Sequence, residues 1–320
     1  MDNKIVLCLM YAIEKVTLDI MKEWCDAVCQ YFEPERMICD GKITRYSKDS
    51  VYEYLEVNAS NDQLSLSFLN DKNSFYLVKD DIVFRAVSFT VTLLQDQGTK
   101  LIDQLIDKYM VRDGIVAYKC AGEEEFWQDA EQVSYYKAKK RSLKGLKFTT
   151  SKIGLPEKIV DVEYNPGHSH RYEGVWFGSC YQMWFGRPYY EFISKERLQS
   201  FRNCHENVEL GNDAIRIILY EDIWDFDNPA NRERQWDFRR SMGVDEVAHA
   251  LLEKPRKPRK PVDPMVEFQK KTENGVEYEW VINYADAKNK PIEKSKATKK
   301  IVYVYVEGNN EPVDTFEEPM

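Results

Sequence analysis

Apolar residues recur along the chain with two periods, and these periods predict its secondary structure. Alternating apolar and polar residues predict β-strands, whereas apolar residues three or four positions apart predict amphipathic helices. In the first 150 residues the predicted elements are a strand over 5–13, a helix over 18–32, strands over 64–68, 75–78 and 87–93, a helix over 99–110 and a strand over 115–120. Thr17 is the expected N-cap of the first helix, and Pro34 follows its end.

A similar order of elements returns after residue 150. Strands are predicted within 175–193, a helix over 194–203 and a strand over 214–220, and two helices follow. Asn228 is the expected N-cap of the first of these two helices, Pro229 suits its first position, and Gly243 suits its end. This order suggests two similar lobes of β-meander, helix and strand, although the halves share no residue signature.

Prolines at every third position mark a boundary near residue 254. They remove backbone donors and favour an extended spacer. Beyond it, residues 276–282 and 300–306 have a β-rich composition, Asn274 and Gly275 predict a hairpin turn, and the acidic end from Glu307 is expected to fray. The sequence therefore predicts an α+β fold of antiparallel sheets with flanking helices. The predicted parts are an N-terminal lobe at 1–150, an aromatic-rich lobe at 151–253, a Pro/Lys/Arg linker at 254–264 and a small β appendage with an acidic tail at 265–320.

Composition narrows the class of protein. Of 320 residues, 43% are hydrophobic and 31% are charged, which is typical of a globular protein and argues against disorder. No apolar run approaches the roughly 20 residues that span a bilayer, so we expect no membrane contact. The start of the chain lacks the pattern of a secretory signal, and seven unevenly spaced cysteines favour reduced thiols. We therefore expect a cytoplasmic location.

Charge is distributed unevenly along the chain. Residues 1–253 contain 32 Lys and Arg against 42 Asp and Glu, a net charge of −10, whereas residues 254–300 contain 13 against 7, a net charge of +6. The acidic majority of the chain opposes non-specific attraction to nucleic acid and favours a basic partner.

Residues 164–190 form the most unusual segment, with nine aromatic residues and four glycines. A glycine follows each of two Trp-Phe pairs, which would let another backbone or ring approach closely. Because strand alternation places aromatic side chains on both faces of a sheet, the segment fits either core packing or a surface that recognises a partner. The candidate partner-binding residues are Trp176, Phe177, Tyr181, Trp184, Phe185, Arg187 and Tyr189.

Two histidines in the same segment form a candidate metal site. His168 and His170 are two positions apart, so an extended strand would direct both imidazoles to one side. Asp161 and Glu163 could complete a ligand set for zinc or manganese. Against this interpretation, the further spaced histidines of familiar hydrolases are absent, and residues 165–167 predict a turn in which both histidines are simply exposed.

Two other charged segments carry weaker signals. Carboxylates including Asp225 and Asp227 follow a predicted strand, as catalytic or metal-binding acids often do, but acids before a helix also favour its dipole. The basic run from Lys137 to Lys147 has aromatic residues at its edges, which suits nucleic acid, although a solvated loop is the common fate of such a run. Glycine-rich phosphate loops are absent from the sequence, so no cofactor is predicted.

Three functional hypotheses follow from these patterns. The leading one is a non-enzymatic protein-binding inhibitor, such as an immunity protein or a phage defence or counter-defence protein, that presents an acidic and aromatic surface to a basic effector. The alternative is a metal-dependent hydrolase or nuclease that uses His168 and His170 with nearby carboxylates. The third is a nucleic-acid-binding module that relies on residues 137–147. The sequence does not specify the oligomeric state.

Overall fold

The structure, a computed structural model, divides the chain into two compact units, Met1–Pro258 and Arg259–Met320. It describes residues 4–39, 41–82, 85–94, 99–151, 157–162, 165, 167–254, 263–273, 276–306 and 311–320. Within these residues there are eight α-helices and eighteen strands, and the strands pair in antiparallel sheets. The predicted α+β class is confirmed.

The first unit contains all of these helices. They are α1 (Leu18–Val28), α2 (Lys48–Asn58), α3 (Thr99–Met110), α4 (Gly122–Asp129), α5 (Val133–Ala138), α6 (Lys195–Ser200), α7 (Pro229–Met242) and α8 (Val244–Leu252). Its strands are β1 (Lys4–Ala12), β2 (Arg36–Cys39), β3 (Lys42–Arg45), β4 (Gln63–Leu69), β5 (Ser74–Asp80), β6 (Ala86–Leu94), β7 (Gly114–Ala121), β8 (Phe148–Thr150), β9 (Lys158–Val160), β10 (His170–Tyr172), β11 (Val175–Phe177), β12 (Gln182–Phe185), β13 (Glu206–Glu209) and β14 (Ile215–Ile218).

Ten of these strands form one sheet in the order β13-β14-β12-β7-β1-β6-β5-β4-β2-β3. Strand β1 lies in its centre, where Leu9 pairs with Phe89 of β6 on one side and with Ala117 of β7 on the other. Because β12 pairs with β7, the ranges 1–150 and 151–253 share this sheet. The idea that the two ranges are a duplication stays a prediction.

Each face of the sheet packs into its own hydrophobic core. Successive side chains of a strand point to opposite faces, so Leu7 and Leu9 of β1 join a core with Trp24 of α1. Val6 and Cys8, which alternate with them along the strand, face the second core, to which Trp176, Phe177 and residues of α7 and α8 belong. The apolar run at the start of the chain is buried because both of its faces are covered.

The helix signals in the sequence correspond to observed caps. The Thr17 hydroxyl accepts a hydrogen bond from the Ile20 amide at 3.3 Å, and the Asn228 side chain caps α7 by accepting from the Ala230 amide. Gly243 ends α7 in the left-handed conformation, with φ of 65°. Helix α1 ends at Val28, four residues before the predicted end, and tighter turns continue the chain from there.

Two glycines of the aromatic segment allow the close approaches that the sequence predicts. A Cβ atom on Gly186 would lie 1.9 Å from the carbonyl oxygen of Gly114, so the two backbones meet where β12 ends beside β7. A Cβ atom on Gly178 would lie 2.4 Å from the Trp176 ring. One glycine therefore admits a backbone and the other admits a ring.

The second unit contains one four-stranded sheet in the order β15 (Val266–Glu273), β16 (Val276–Ala285), β17 (Lys299–Val306) and β18 (Asp314–Pro319). Strand β18 corrects the expectation of a frayed tail, because Phe316 pairs with Val302 of β17 and packs in the small core of this sheet. Lys299 adds an ion pair with Glu317 at 2.7 Å. The predicted turn at 274–275 and most of the predicted linker lie outside the described residues.

Candidate functional site

Most of the aromatic candidates are core side chains. Those at most 2% exposed are Trp176, Phe177, Trp184, Phe185 and Tyr189. In β12, Phe185 faces one core and Trp184 faces the other, as strand alternation requires. Tyr181 is partly buried against the Tyr220 ring, and Arg187 is exposed. The burial fits the packing interpretation of this segment, and contact with a partner is left to Tyr181 and Arg187.

The two histidines make hydrogen-bond contacts with different groups. His168 places Nδ1 3.0 Å from the Gln128 carbonyl oxygen and Nε2 3.4 Å from the Tyr136 hydroxyl. His170 instead places Nε2 2.9 Å from Oδ1 of Asp245. Within the described residues, no three His, Cys, Asp or Glu side chains lie close enough to hold a metal ion. Asp161 is not part of such a group, and Glu163 is outside the described residues, so the metal interpretation stays a prediction.

His170 belongs to a buried ion-pair cluster that fixes α7 and α8. Arg239 donates from Nη2 and Nε to the two oxygens of Asp245, at 2.5 and 3.1 Å, and from Nη2 to the carbonyl oxygen of His168 at 2.7 Å. Burial alone would raise the pKa of Asp245, but hydrogen bonds from His170 and Arg239, together with their charges, lower it below its ordinary value. The cluster explains why these polar residues are buried.

The other charged segments of the sequence remain at the surface. Asp222 accepts a hydrogen bond from the Trp224 amide at 2.9 Å and so caps the short helical turn Ile223–Asp225. Asp225 and Asp227 are exposed. The basic run occupies α5 and the loop after it, where most of its lysines are exposed, and its nucleic-acid role stays a prediction.

Helix α4, for which the sequence patterns predict no element, brings the strongest cluster of side chains together. It follows β7 directly, and Glu123, Glu124 and Glu125 occupy its first turn, where the helix dipole favours negative charge. Glu124 and Trp127 are buried, whereas Glu123, Glu125 and Phe126 are partly or fully exposed. The helix therefore has an inner side and an outer side with different chemistry.

The outer side of α4 carries an exposed aromatic pair. Phe126 is 37% exposed and Tyr135 of α5 is 42% exposed, and their rings lie 5.3 Å apart. Phe126 also lines a cavity of about 830 Å³ with the half-buried side chains of Trp224 and Phe226. A second cavity of about 510 Å³ adjoins the first, because both are lined by Phe126 and Glu125.

Carboxylates surround these aromatic rings. We call the whole set the α4 face: Glu123, Glu125, Phe126, Asp129, Glu131, Tyr135, Trp224 and Phe226. Its four carboxylates outnumber the two lysines that line the same cavities, Lys4 and Lys139. Lys139 pairs with Glu123 at 3.7 Å. The α4 face is thus acidic and aromatic, which is the kind of surface that the sequence predicts, but it is built from other residues.

The inner side of α4 holds a buried carboxyl group. Glu124 accepts hydrogen bonds from the Gln235 amide at 2.7 Å and from the Tyr220 hydroxyl at 3.1 Å. Burial raises the pKa of Glu124 to about 8, although the Arg232 charge and these two hydrogen bonds oppose the rise. Burial therefore favours the protonated form of Glu124 more than it would be favoured in an exposed glutamate.

A polar cavity of about 410 Å³ opens beside Glu124. Arg141 lies over the Trp127 ring, 3.8 Å from its centroid, and its Nη2 is 3.6 Å from an oxygen of Asp227. Arg232 of α7 donates from Nη1 to Gln235 at 2.9 Å. His168 also lines the cavity, and burial lowers its pKa below the ordinary value. We call this the Arg141/Arg232 cavity.

Comparisons with known proteins add little to this geometry. No protein-family model matches the chain, and no curated protein matches its sequence. A solved structure, the Pseudomonas aeruginosa T6SS protein PA0821, aligns with a TM-score of 0.44 at 10% identity, over 76% of this chain and 73% of that one. At this TM-score and identity, the likeness says nothing about what the chain does. In the part of the chain that is described, no helix has the length and apolar character to cross a membrane.

Proposed function

We propose that the chain is a non-enzymatic protein-binding inhibitor, such as an immunity protein or a phage defence or counter-defence protein, and that its α4 face binds a basic protein. The observation that carries this proposal is the exposed ring pair of Phe126 and Tyr135 inside a rim of carboxylates. Aromatic side chains are enriched at the centres of protein interfaces, where they supply most of the binding energy.

The negative charge of the α4 face favours a basic partner protein. The carboxylates Glu123, Glu125, Asp129 and Glu131 line adjoining cavities, and residues 1–253 carry 32 Lys and Arg against 42 Asp and Glu, a net charge of −10. A partner with a basic patch would be steered to such a surface and held in register by it. The two cavities beside Phe126 offer recesses for its side chains.

The first experiment asks whether the aromatic pair binds the partner. The full chain is purified from its native host at natural expression level, in parallel with Tyr135→Ser and with the control Tyr76→Ser. Tyr76 is a matched control because it is 43% exposed and lies on β5, outside the α4 face. We expect one basic protein to co-purify with the parent chain and the control. Tyr135→Ser should weaken the complex by about 30-fold, as loss of an interface hot spot does.

The second experiment isolates the charge. Glu131→Lys and Glu53→Lys change the net charge equally, but Glu53 is an exposed residue of α2, outside the α4 face. With the purified partner, Glu131→Lys should slow association by about tenfold at low salt, and the difference from Glu53→Lys should shrink as salt is added. Equal association rates for the two variants, or a co-purifying protein that is indifferent to Tyr135→Ser, would contradict the proposed surface.

A further inference from the structure

The Arg141/Arg232 cavity lies on the inner side of α4 and has its own chemistry. Its walls come from α4, from the loop after α5 and from the start of α7. Its volume of about 410 Å³ falls in the range of small-molecule sites. Two guanidinium groups line it together with the aromatic rings of Trp127 and Tyr136.

Both guanidinium groups are held in place by neighbouring side chains. Arg141 stacks on Trp127 at 3.8 Å, and Arg232 is fixed by its hydrogen bond to Gln235. Gln235 is itself buried and donates to Glu124, so the position of Arg232 is set by a chain of hydrogen bonds. A guanidinium group held in this way loses little freedom when it binds an oxyanion.

The positive charge of the cavity is only partly balanced. Asp227 lies 3.6 Å from Arg141, and its side chain is 65% exposed, so water and salt screen the pair. Burial raises the pKa of Glu124 to about 8, which reduces the negative charge that this carboxyl group adds at neutral pH. Burial lowers the pKa of Arg141, and the Arg232 charge contributes to this, although Asp227 and Glu123 oppose it. The positive charges of Arg141 and Arg232 therefore repel each other.

We infer that the Arg141/Arg232 cavity binds a small organic molecule through a phosphate or carboxylate group placed between the two guanidinium groups. A planar guanidinium group can form paired hydrogen bonds with either kind of oxyanion. The apolar walls, which include Trp127, Tyr136 and Leu146, leave room for an unsaturated or aromatic body attached to the anion. This inference does not depend on the proposed function, which concerns the outer side of α4.

Three probes with the same ring separate charge from shape. Phenyl phosphate and benzoate carry the two oxyanions, and benzamide is a neutral counterpart of benzoate. Calorimetric titration of the full chain should show one site for phenyl phosphate or benzoate and no measurable binding of benzamide. The oxyanion that binds more tightly identifies the natural ligand class as a phosphate ester or a carboxylic acid. Indole fluorescence should change on binding, and the change should be lost in Trp127→Phe.

Arginine variants test the site itself. Arg232→Gln should weaken binding by about 10- to 100-fold, since it removes a charge-assisted hydrogen-bond donor. Arg240→Gln is the matched control, because Arg240 is exposed on the same helix and pairs with Glu233. If Arg232→Gln does not fold, Arg141→Gln in the loop answers the same question. Equal affinity for benzoate and benzamide, or unchanged affinity in the folded arginine variants, would overturn the inference.

Discussion

Replacement of Glu124 by glutamine should stabilise the protein, and the gain should depend on pH. Glu124 is 1% exposed, and burial raises its pKa from 4.5 to about 8. In the unfolded chain the same carboxyl group is in water and ionises near pH 4.5. The folded protein therefore holds one more proton than the unfolded chain between these pH values, and its free energy of unfolding falls as the pH rises through this window.

The size of the effect follows from the width of the window. The pKa of Glu124 rises from 4.5 in the unfolded chain to about 8 in the folded protein, a difference of about 3.5 units. Each unit corresponds to about 1.4 kcal/mol, so ionisation of this side chain lowers the free energy of unfolding by up to about 5 kcal/mol above pH 8. A glutamine at position 124 avoids this cost because it is always neutral. Its carbonyl oxygen can still accept from Gln235 and Tyr220, as Oε1 of Glu124 does.

Urea unfolding followed by circular dichroism at pH 5 and pH 8.5 measures this difference. We expect Glu124→Gln to match the parent chain within about 1 kcal/mol at pH 5 and to exceed it by several kcal/mol at pH 8.5. Glu123→Gln is the control, because its carboxylate lies on the outer side of the same helix and should contribute less than about 1 kcal/mol at either pH. An equal difference at both pH values would show that Glu124 does not hold a buried proton.

Other substitutions test the packing and the ion pairs. Gly186→Ala should lower the free energy of unfolding by about 3 kcal/mol, because a carbonyl oxygen lies 1.9 Å from the new Cβ atom, whereas Gly211→Ala, with ordinary contacts, should change it by less than about 0.5 kcal/mol. Arg239→Met should cost about 3–5 kcal/mol at pH 7 by leaving Asp245 without its guanidinium partner. The pKa of Asp245 is lowered in the folded protein, so the stabilisation from this ion pair is present above the ordinary pKa of an aspartate and is lost as the pH falls below that value. Urea unfolding at pH 3 should therefore show a smaller destabilisation by Arg239→Met than at pH 7. Phe316→Ala should remove β18 from the second sheet, seen as faster amide hydrogen exchange in 314–318.

Elements with strong local signals are predictable from the sequence. Helix α3 begins and ends where its apolar stripe predicts, and α7 has its predicted N-cap and C-terminal glycine. These features depend on neighbouring residues alone, so one sequence is enough to find them. Strand β18 is not predicted, because it depends on residues of another strand. Half of its six residues are acidic. Pairing with β17 brings Lys299 and Lys300 beside Glu317 and Glu318, and this makes a strand favourable there.

The α4 face and the Arg141/Arg232 cavity could not be predicted, because the sequence does not indicate which side of α4 is buried. Three successive glutamates after an apolar strand are a signal for a helix N-terminus, and this signal was available at 123–125. Nothing in the triplet distinguishes Glu124 from its neighbours, since all three are the same residue. The distinction arises from distant residues. Tyr220 and Gln235 donate hydrogen bonds to the buried Glu124. Tyr118 donates one to the partly buried Glu125 at 2.8 Å, whereas the side chain of Glu123 is 38% exposed. The same three identical side chains thus give a buried carboxyl group beside one cavity and two more exposed ones in the α4 face. Burial raises the pKa of the Glu124 carboxyl group beside this cavity, and buried groups with shifted pKa values are concentrated where a protein binds or acts.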